Sequence, residues 1–260
     1  MTILVLDKGH IGKNSDPGAV GNGLYESDLT DIIVEGIVNH LKSNYEVDVR
    51  IAPRGTLTDR TNYANSIKAD YFLSTHINSA QNTNAFGFES FIHNNASQKS
   101  LDIQNILHAE IMKYMKQYNV FDRGKKRANF AVLRNSKCSA CLIENLFISN
   151  VNDAKLLKDA NFLEGLVKSI TNGLALGLGL KKKIVDKKEE IKDNTKEVKD
   201  NTNINILNTK DSVKVKVNDE DAYVENYIIN DHIYFSVKDF CNMFGKEYKW
   251  DGEKREISIK

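Results

Sequence analysis

Two apolar runs in this 260-residue chain each lead into a histidine. Residues 3–6 are followed by a break at Gly9 and then His10, and the run at residues 70–78 carries His76. Runs of this length are typical of buried strands. Open α/β sheets commonly have their binding and catalytic sites at the carboxyl ends of the strands. One histidine there is about as often structural as a metal ligand. Two histidines from separate strands favour a metal site, whose ligands converge from rigid elements distant in sequence.

Helical and strand patterns alternate along roughly the first 180 residues. The apolar spacing predicts a helix that begins at residues 25–28, and a long helix over 97–118 with Leu101, Ile106, Met112 and Met115 in the core. The remaining expectations are strands at 47–51, 86–93 and 131–134, an apolar run at 141–150, helices at 58–65 and 162–180, and loops at 13–24 and 122–127.

Two glutamates stand at informative places in this pattern. Glu26 falls at or just before the N-terminus of the first helix, where an acid is commonly a capping or dipole-compensating group. Glu144 interrupts an apolar run, so its carboxylate is either buried and paired with another group or has a functional role. We interpret the three remaining histidines of this region as surface or core residues: His40, His93 and His108.

Composition excludes several classes of protein. Lys and Arg number 36 against 35 Asp and Glu, which argues against nucleic-acid binding by bulk electrostatics. No stretch approaches the ~18 apolar residues of a membrane span, and the N-terminus lacks a secretory-signal pattern. Three cysteines are too few for a disulfide framework. We interpret the CxxC of Cys138 and Cys141 as incidental small residues and not as a redox or zinc site.

Several separated motifs occur in a recognisable order. They are LDKGHIG, DPGAVGNGLYE, TDRTNYAN, ADYFLSTHINS, the Arg123-Gly124 pair that leads to FAVLR, and CLIENLFISNVND. Over roughly residues 1–178 the chain resembles the zinc-dependent N-acetylmuramoyl-L-alanine amidases of the amidase-3 type, which occur in phage endolysins and bacterial autolysins. The resemblance implies an α/β fold with a mixed sheet flanked by helices, and peptidoglycan as the partner.

The resemblance also assigns the site residues. It implies one Zn²⁺ held by His10, Glu26 and His76, with Glu144 as the catalytic residue; by location, Asn78 and Arg134 are expected to contact substrate. Two His and one carboxylate leave a fourth coordination position open, as in hydrolytic zinc sites. Two alternatives remain at this point: a zinc peptidase that cuts within the stem peptide, and an inactive wall-binding protein.

The sequence predicts three parts. These are a catalytic domain over 1–180, a charged flexible or partly helical linker over 181–210, and a small β-rich α+β domain over 211–260. The last part resembles one repeat of the copper-amine-oxidase N-terminal-like domain, although we expect no copper. We expect it to attach the enzyme to the cell wall, or else to stabilise the protein or form a dimer. Without a signal peptide, the protein is expected to wait in the host bacterial cytoplasm until lysis releases it.

Overall fold

A computed structural model describes residues 1–183 and the backbone of seven strands between residues 205 and 259. The chain divides into two units, Met1–Asp186 and Lys187–Lys260. Among the described residues, none of the helices has the length and apolar character that crossing a membrane requires.

A mixed sheet forms the centre of the first unit, as the resemblance implied, and it has six strands. The strands are β1 (Thr2–Lys8), β4 (Val47–Ile51), β5 (Tyr71–Asn78), β6 (Phe88–Ile92), β7 (Asp122–Arg127) and β8 (Ser139–Phe147), in the order β4-β1-β5-β8-β6-β7. The pairs β1–β4, β1–β5 and β5–β8 are parallel, whereas β6 runs antiparallel to β8. The carboxyl ends of β1, β5 and β8 therefore meet at one edge of the sheet.

Helices cover both faces of the sheet. They are α1 (Glu26–Asn44), α2 (Leu57–Ser66), α3 (Gln98–Met115), α4 (Ala131–Asn135), α5 (Val151–Leu157) and α6 (Ala160–Leu178). The larger core packs α1, α3 and α6 against one face. The smaller core, which includes Val5, Phe72 and Leu142, packs α2 and α4 against the other face. Side chains alternate between the two faces of a sheet along each strand. His76 and Glu144 therefore lie on the same face as Phe72 and Leu142, beyond the end of the smaller core.

Several local predictions were wrong. Residues 131–134 belong to helix α4 and not to a strand. An apolar segment this short fits the spacing of a helix as well as that of a strand, and the helix buries Val132 and Leu133 in the smaller core. Residues 122–127 form strand β7 instead of a loop; as a largely solvent-facing edge strand it shows no apolar alternation. Ile106 is exposed and not in the core. The predicted loop at 13–24 also contains part of a short hairpin, β2 (Val20–Gly21) and β3 (Leu24–Tyr25).

The second unit is described through its strands alone. Strands β9 (Asn205–Thr209), β10 (Ser212–Val217) and β11 (Glu220–Val224) form an antiparallel sheet; β12 (Asn226–Ile229) pairs with β13 (His232–Phe235), and β14 (Tyr248–Asp251) with β15 (Glu256–Ile259). The alternating apolar pattern predicts a strand over 213–217 and hairpins over 228–235 and 248–257, and these pairings confirm all three. Strand β9 lies inside the range predicted as linker. The sequence also predicts a short helix over 236–244 and an Asp-Gly turn at 251–252, but the helix and Gly252 lie outside the described residues. The domain boundaries stay a prediction.

Candidate metal centre and active site

His10 stands in a tight turn directly after β1. Its φ angle of 67° lies in the left-handed region, which few non-glycine residues adopt. The turn is pinned to β5 because the Gly9 backbone N–H donates to Thr75 O at 2.9 Å. A Cβ on Gly9 would lie 2.7 Å from the His76 ring, so this close approach requires glycine. The turn therefore sets His10 beside His76.

Glu26 is the first residue of α1 and is 3% exposed. Its Oε2 accepts from the Ala19 backbone N–H at 2.8 Å and its Oε1 from the Ile77 N–H at 3.0 Å. His10 Nε2 lies 3.1 Å from Oε2, and His76 Nδ1 lies 2.9 Å from Oε1. The carboxylate is thus held in place by backbone groups and shared by two imidazoles, which is more than helix capping requires.

The donor atoms of His10, Glu26 and His76 all lie within 4.8 Å of one another. Two imidazole nitrogens and one carboxylate oxygen are a donor set typical of hydrolytic zinc sites, so the residues fit a zinc ion. His10 Nδ1 is 2.9 Å from Asp16 Oδ1, an arrangement that orients the ring and leaves Nε2 for a metal. The structure therefore contains a His-Glu-His site able to bind one metal ion.

Charge couples these three groups strongly. Burial would raise the pKa of Glu26, but hydrogen bonds from both histidines outweigh it and hold that pKa well below its usual range. The hydrogen bond to Glu26 raises the pKa of His10. Burial opposes the same effect at His76, yet its hydrogen bond to Glu26 and the nearby carboxylates still raise its pKa. The site therefore favours positive charge, which a divalent cation supplies.

Glu144 stands next to His76 in the parallel register of β5 and β8. Its Oε2 is buried and has no hydrogen-bond partner among the described residues. Burial raises the pKa of Glu144 to about 7, and the charges of Glu26 and Glu89 add to this effect while that of His76 opposes it. A carboxyl group with such a pKa can both accept and donate a proton near neutral pH.

Sequence reasoning missed the buried carboxylate of Glu89, which lies directly opposite Glu144 in the pairing of β6 with β8. It is bound by Asn78 Nδ2 at 2.7 Å, by Arg123 Nε at 3.0 Å and by the Lys126 ammonium. The available signal was the same one that singled out Glu144, an acid among apolar strand residues, here Phe88-Glu89-Ser90-Phe91.

The structure separates the two expected substrate contacts. Asn78 lies at the end of β5 near Glu144, but its Nδ2 donates to Glu89 and its Oδ1 accepts from the Ser79 N–H. Arg134 lies in α4, where it donates to the Asn129 side chain at 3.0 Å. It lines a cleft with the first residues of β8, at the opposite edge of the sheet from Glu144. Of the predicted site residues, Arg134 is therefore not brought to the metal centre.

The other sequence features stay apart from the site. His108 is buried between Ser90 and Asp122, with ring nitrogens 2.8 and 2.9 Å from their oxygens, as expected of a structural histidine. Cys138 and Cys141 are free thiols. Burial raises the pKa of Cys138 to about 11 and that of Cys141 to about 12, which suppresses the reactive thiolate.

Comparison with known proteins identifies the family of the first unit. Residues 4–175 match the family model for N-acetylmuramoyl-L-alanine amidase. The endolysin of Bacillus phage SPP1 is 41% identical over 182 residues, which cover 68% of this chain and 66% of the endolysin. The sporulation-specific N-acetylmuramoyl-L-alanine amidase of Bacillus subtilis is 41% identical over 187 residues, 70% of each chain.

Solved structures agree with the sequence relatives. The catalytic domain of CwlV, an N-acetylmuramoyl-L-alanine amidase from Bacillus (Paenibacillus) polymyxa, superposes with a TM-score of 0.64 at 27% identity, covering 70% of this chain and 100% of that domain. An N-acetylmuramoyl-L-alanine amidase from Clostridium difficile gives 0.64 at 29% identity, covering 68% and 97%. The chain therefore belongs to the N-acetylmuramoyl-L-alanine amidase family.

Proposed function

We propose that this chain is a zinc-dependent peptidoglycan hydrolase whose metal is held by His10, Glu26 and His76 and whose general base is Glu144. The bond it hydrolyses is the amide between N-acetylmuramic acid and the L-alanine of the stem peptide, the reaction of its family. The observation that carries the assignment of roles is the position of the unpaired Glu144 carboxyl beside His76, in register on adjacent strands.

A Zn²⁺ held by His10, Glu26 and His76 would supply Lewis acidity, which would polarise the scissile carbonyl and make water easier to deprotonate. Glu144 accepts a proton from the attacking water as the water oxygen bonds to the carbonyl carbon. Glu144 then returns this proton to the nitrogen as the C–N bond breaks, leaving a muramic acid carboxyl group and a free L-alanine amine. The pKa of about 7 suits both transfers.

Replacing Glu144 by Gln tests this assignment. The variant keeps the shape of the side chain but loses the proton acceptor, so we expect turnover to fall by about 10²- to 10⁴-fold while zinc stays bound. The measurement is mass spectrometry of fragments released from purified peptidoglycan, with zinc content determined on the same preparations. Glu164→Gln, which removes an exposed carboxylate on α6, is the matched control.

The products separate the reaction from its alternatives. Free stem peptides beginning at L-alanine, released only in the presence of zinc, identify the amidase. Fragments cut within the stem peptide identify a zinc peptidase instead, and wild-type protein that releases nothing but binds walls is a binding protein. An E144Q variant with wild-type turnover refutes the role of Glu144.

The second unit is proposed to attach the enzyme to the cell wall, which raises the effective concentration of the catalytic unit at its substrate. The likeness to a phage endolysin supports a role in host lysis, with the protein held in the host cytoplasm until release; a bacterial autolysin is the alternative. Co-sedimentation of full-length E144Q with purified walls, compared with a chain ending at Asp186, tests the attachment. Equal binding refutes it, and a concentration-dependent mass in solution indicates dimerisation.

A further inference from the structure

The carboxylate of Glu89 anchors a group of side chains that the proposed reaction does not use. We call Asn78, Glu89, Arg123 and Lys126 the Glu89 cluster. Glu89 and Glu144 are directly opposite each other in an antiparallel pair, and such pairs point to the same face of a sheet with their Cβ atoms about 5 Å apart. The Glu89 cluster therefore lies next to Glu144, the proposed general base.

Arg123 is fixed by two contacts on two sides of its guanidinium group. Its Nε donates to Glu89 Oε2 at 3.0 Å, and its Cζ lies 4.7 Å from the centre of the Phe147 ring. Phe147 reaches this position through a shift in the register of β8 against β5. His76 pairs with Glu144 and Asn78 pairs with Phe147, so β8 has one residue more than β5 over this stretch. Leu146, with a φ angle of 70°, is the residue at this irregularity.

These contacts leave the terminal nitrogens of Arg123 available. Neither Nη1 nor Nη2 has a hydrogen-bond partner in the part of the chain that the structure describes, and the side chain is 29% exposed. A guanidinium group held through Nε and stacked on a ring presents its remaining N–H groups as a fixed fork. This geometry matches the two oxygens of a carboxylate.

The charges of the cluster point to the same ligand. One carboxylate, Glu89, faces two cations, Arg123 and Lys126, so the cluster carries an excess of positive charge. Lys126 is 38% exposed and can reinforce attraction for an anion. Glu89 alone balances one of these two cations, and Asp153 is a further carboxylate that feels the charge of Arg123. The two exposed cationic side chains favour an anionic group at this place.

We infer that Arg123, held by Glu89 and Phe147, binds a free carboxylate of the stem peptide and so selects substrates in which that group is not amidated. The inference rests on the proposed function, because it concerns the substrate of the same site. Stem peptides offer the carboxylate at the second residue, next to the L-alanine, and the carboxylate at the C-terminus. The second residue is the nearer of the two to the scissile bond.

The test uses full-length, zinc-loaded protein and three muramoyl-peptides of one sequence. The first has every carboxylate free, the second is amidated at the second residue, and the third is amidated at the C-terminus. We expect wild-type kcat/KM to be at least about tenfold higher for the first peptide than for the second, the loss of one charge-assisted contact. Arg123→Gln should bring this ratio close to one, and Arg123→Lys, which keeps the charge but not the fork, should give an intermediate ratio.

Arg127→Gln is the matched control, because Arg127 lies on the same strand but donates to the backbone carbonyls of His93 and Asn94. It should keep the wild-type ratio. Discrimination against the third peptide that disappears in R123Q also supports a carboxylate contact and assigns it to the C-terminus. Equal hydrolysis of all three peptides by wild-type protein, or wild-type discrimination in R123Q, overturns the inference while the proposed amidase stands. Wild-type protein that cuts none of them overturns both.

Discussion

Gly18 gives a direct test of the geometry of the metal centre. This residue lies in the loop before α1 with a φ angle of 68°. A Cβ added there would lie 2.4 Å from His10 Cδ2 and 2.6 Å from Glu26 Oε2, about 1 Å inside the 3.4 Å at which ordinary contact begins. Gly18→Ala should therefore displace two of the three proposed ligands at once.

Two costs are expected from this substitution. The left-handed backbone should destabilise the folded protein by roughly 1–2 kcal/mol, since alanine carries a Cβ that glycine lacks. The displaced ligands should lower zinc affinity by about 10- to 100-fold, the usual range for changes that disturb ligand orientation. The first cost acts on folding with or without metal, and the second appears only in metal binding.

Gly23→Ala separates the two costs. Gly23 has a similar φ angle of 77°, lies in the same loop, and has no neighbour within 4 Å of an added Cβ. The assays are zinc competition with a chromophoric chelator and urea unfolding of the metal-free protein. Gly18→Ala should lose at least as much stability as Gly23→Ala, because its Cβ also clashes with His10 and Glu26, but only Gly18→Ala should lose zinc affinity. Equal zinc affinity in the two variants would show that His10 and Glu26 do not jointly hold the metal.

Three further results are expected. Gly165→Ala should lower the melting temperature, because its Cβ would lie 2.2 Å from Tyr114 Cζ, a clash that outweighs the roughly 1 kcal/mol gain in helix propensity; in a Tyr114→Leu background the loss should vanish. Burial lowers the pKa of His108 below 6.5, so below that pH the unfolded chain binds a proton more readily than the folded protein. The free energy of unfolding should therefore decrease as the pH drops from 6.5 through the pKa of folded His108. Urea unfolding of His108→Gln should show a smaller decrease over the same pH range. A cation beside Glu144 lowers a pKa that burial raises to about 7, so the acid limb of kcat/KM in the zinc-loaded enzyme should lie below pH 7; a limb above it contradicts the assignment.

The family resemblance assigned the proposed ligands, and local signals supported it for the two histidines. Each histidine follows or ends a short apolar strand, and Glu26 begins an amphipathic helix. Parallel strands bring their carboxyl ends to one edge, so the order of elements was enough to bring His10 and His76 together. Glu144 stood out because a carboxylate in an apolar run is costly to bury, and the resemblance then assigned its role.

The Glu89 cluster could not be predicted in this way. Its members come from β5, β6 and β7, and their proximity depends on β6 pairing antiparallel with β8, a long-range register that no local period encodes. Strand β7, which contains Arg123 and Lys126, is a largely solvent-facing edge strand. Its basic sequence lacks the apolar alternation of a buried strand and was therefore predicted to be a loop. The position of Arg134 was not predicted either, because a segment of a few apolar residues fits a helix or a strand; it lies in helix α4, where it donates to Asn129.

Glu89 and Glu144 face each other across one strand pair, but their surroundings differ. Glu89 receives two cations and an amide, so both of its oxygens are satisfied. Glu144 has an oxygen without a partner among the described residues and a pKa raised to about 7. Carboxylates whose environments diverge in this manner commonly divide the work of a site, one staying charged and one moving a proton. The charge of Glu89 also adds to the raised pKa of Glu144. Glu89 therefore serves both proposals: it holds Arg123 for the substrate and helps Glu144 to carry a proton near neutral pH.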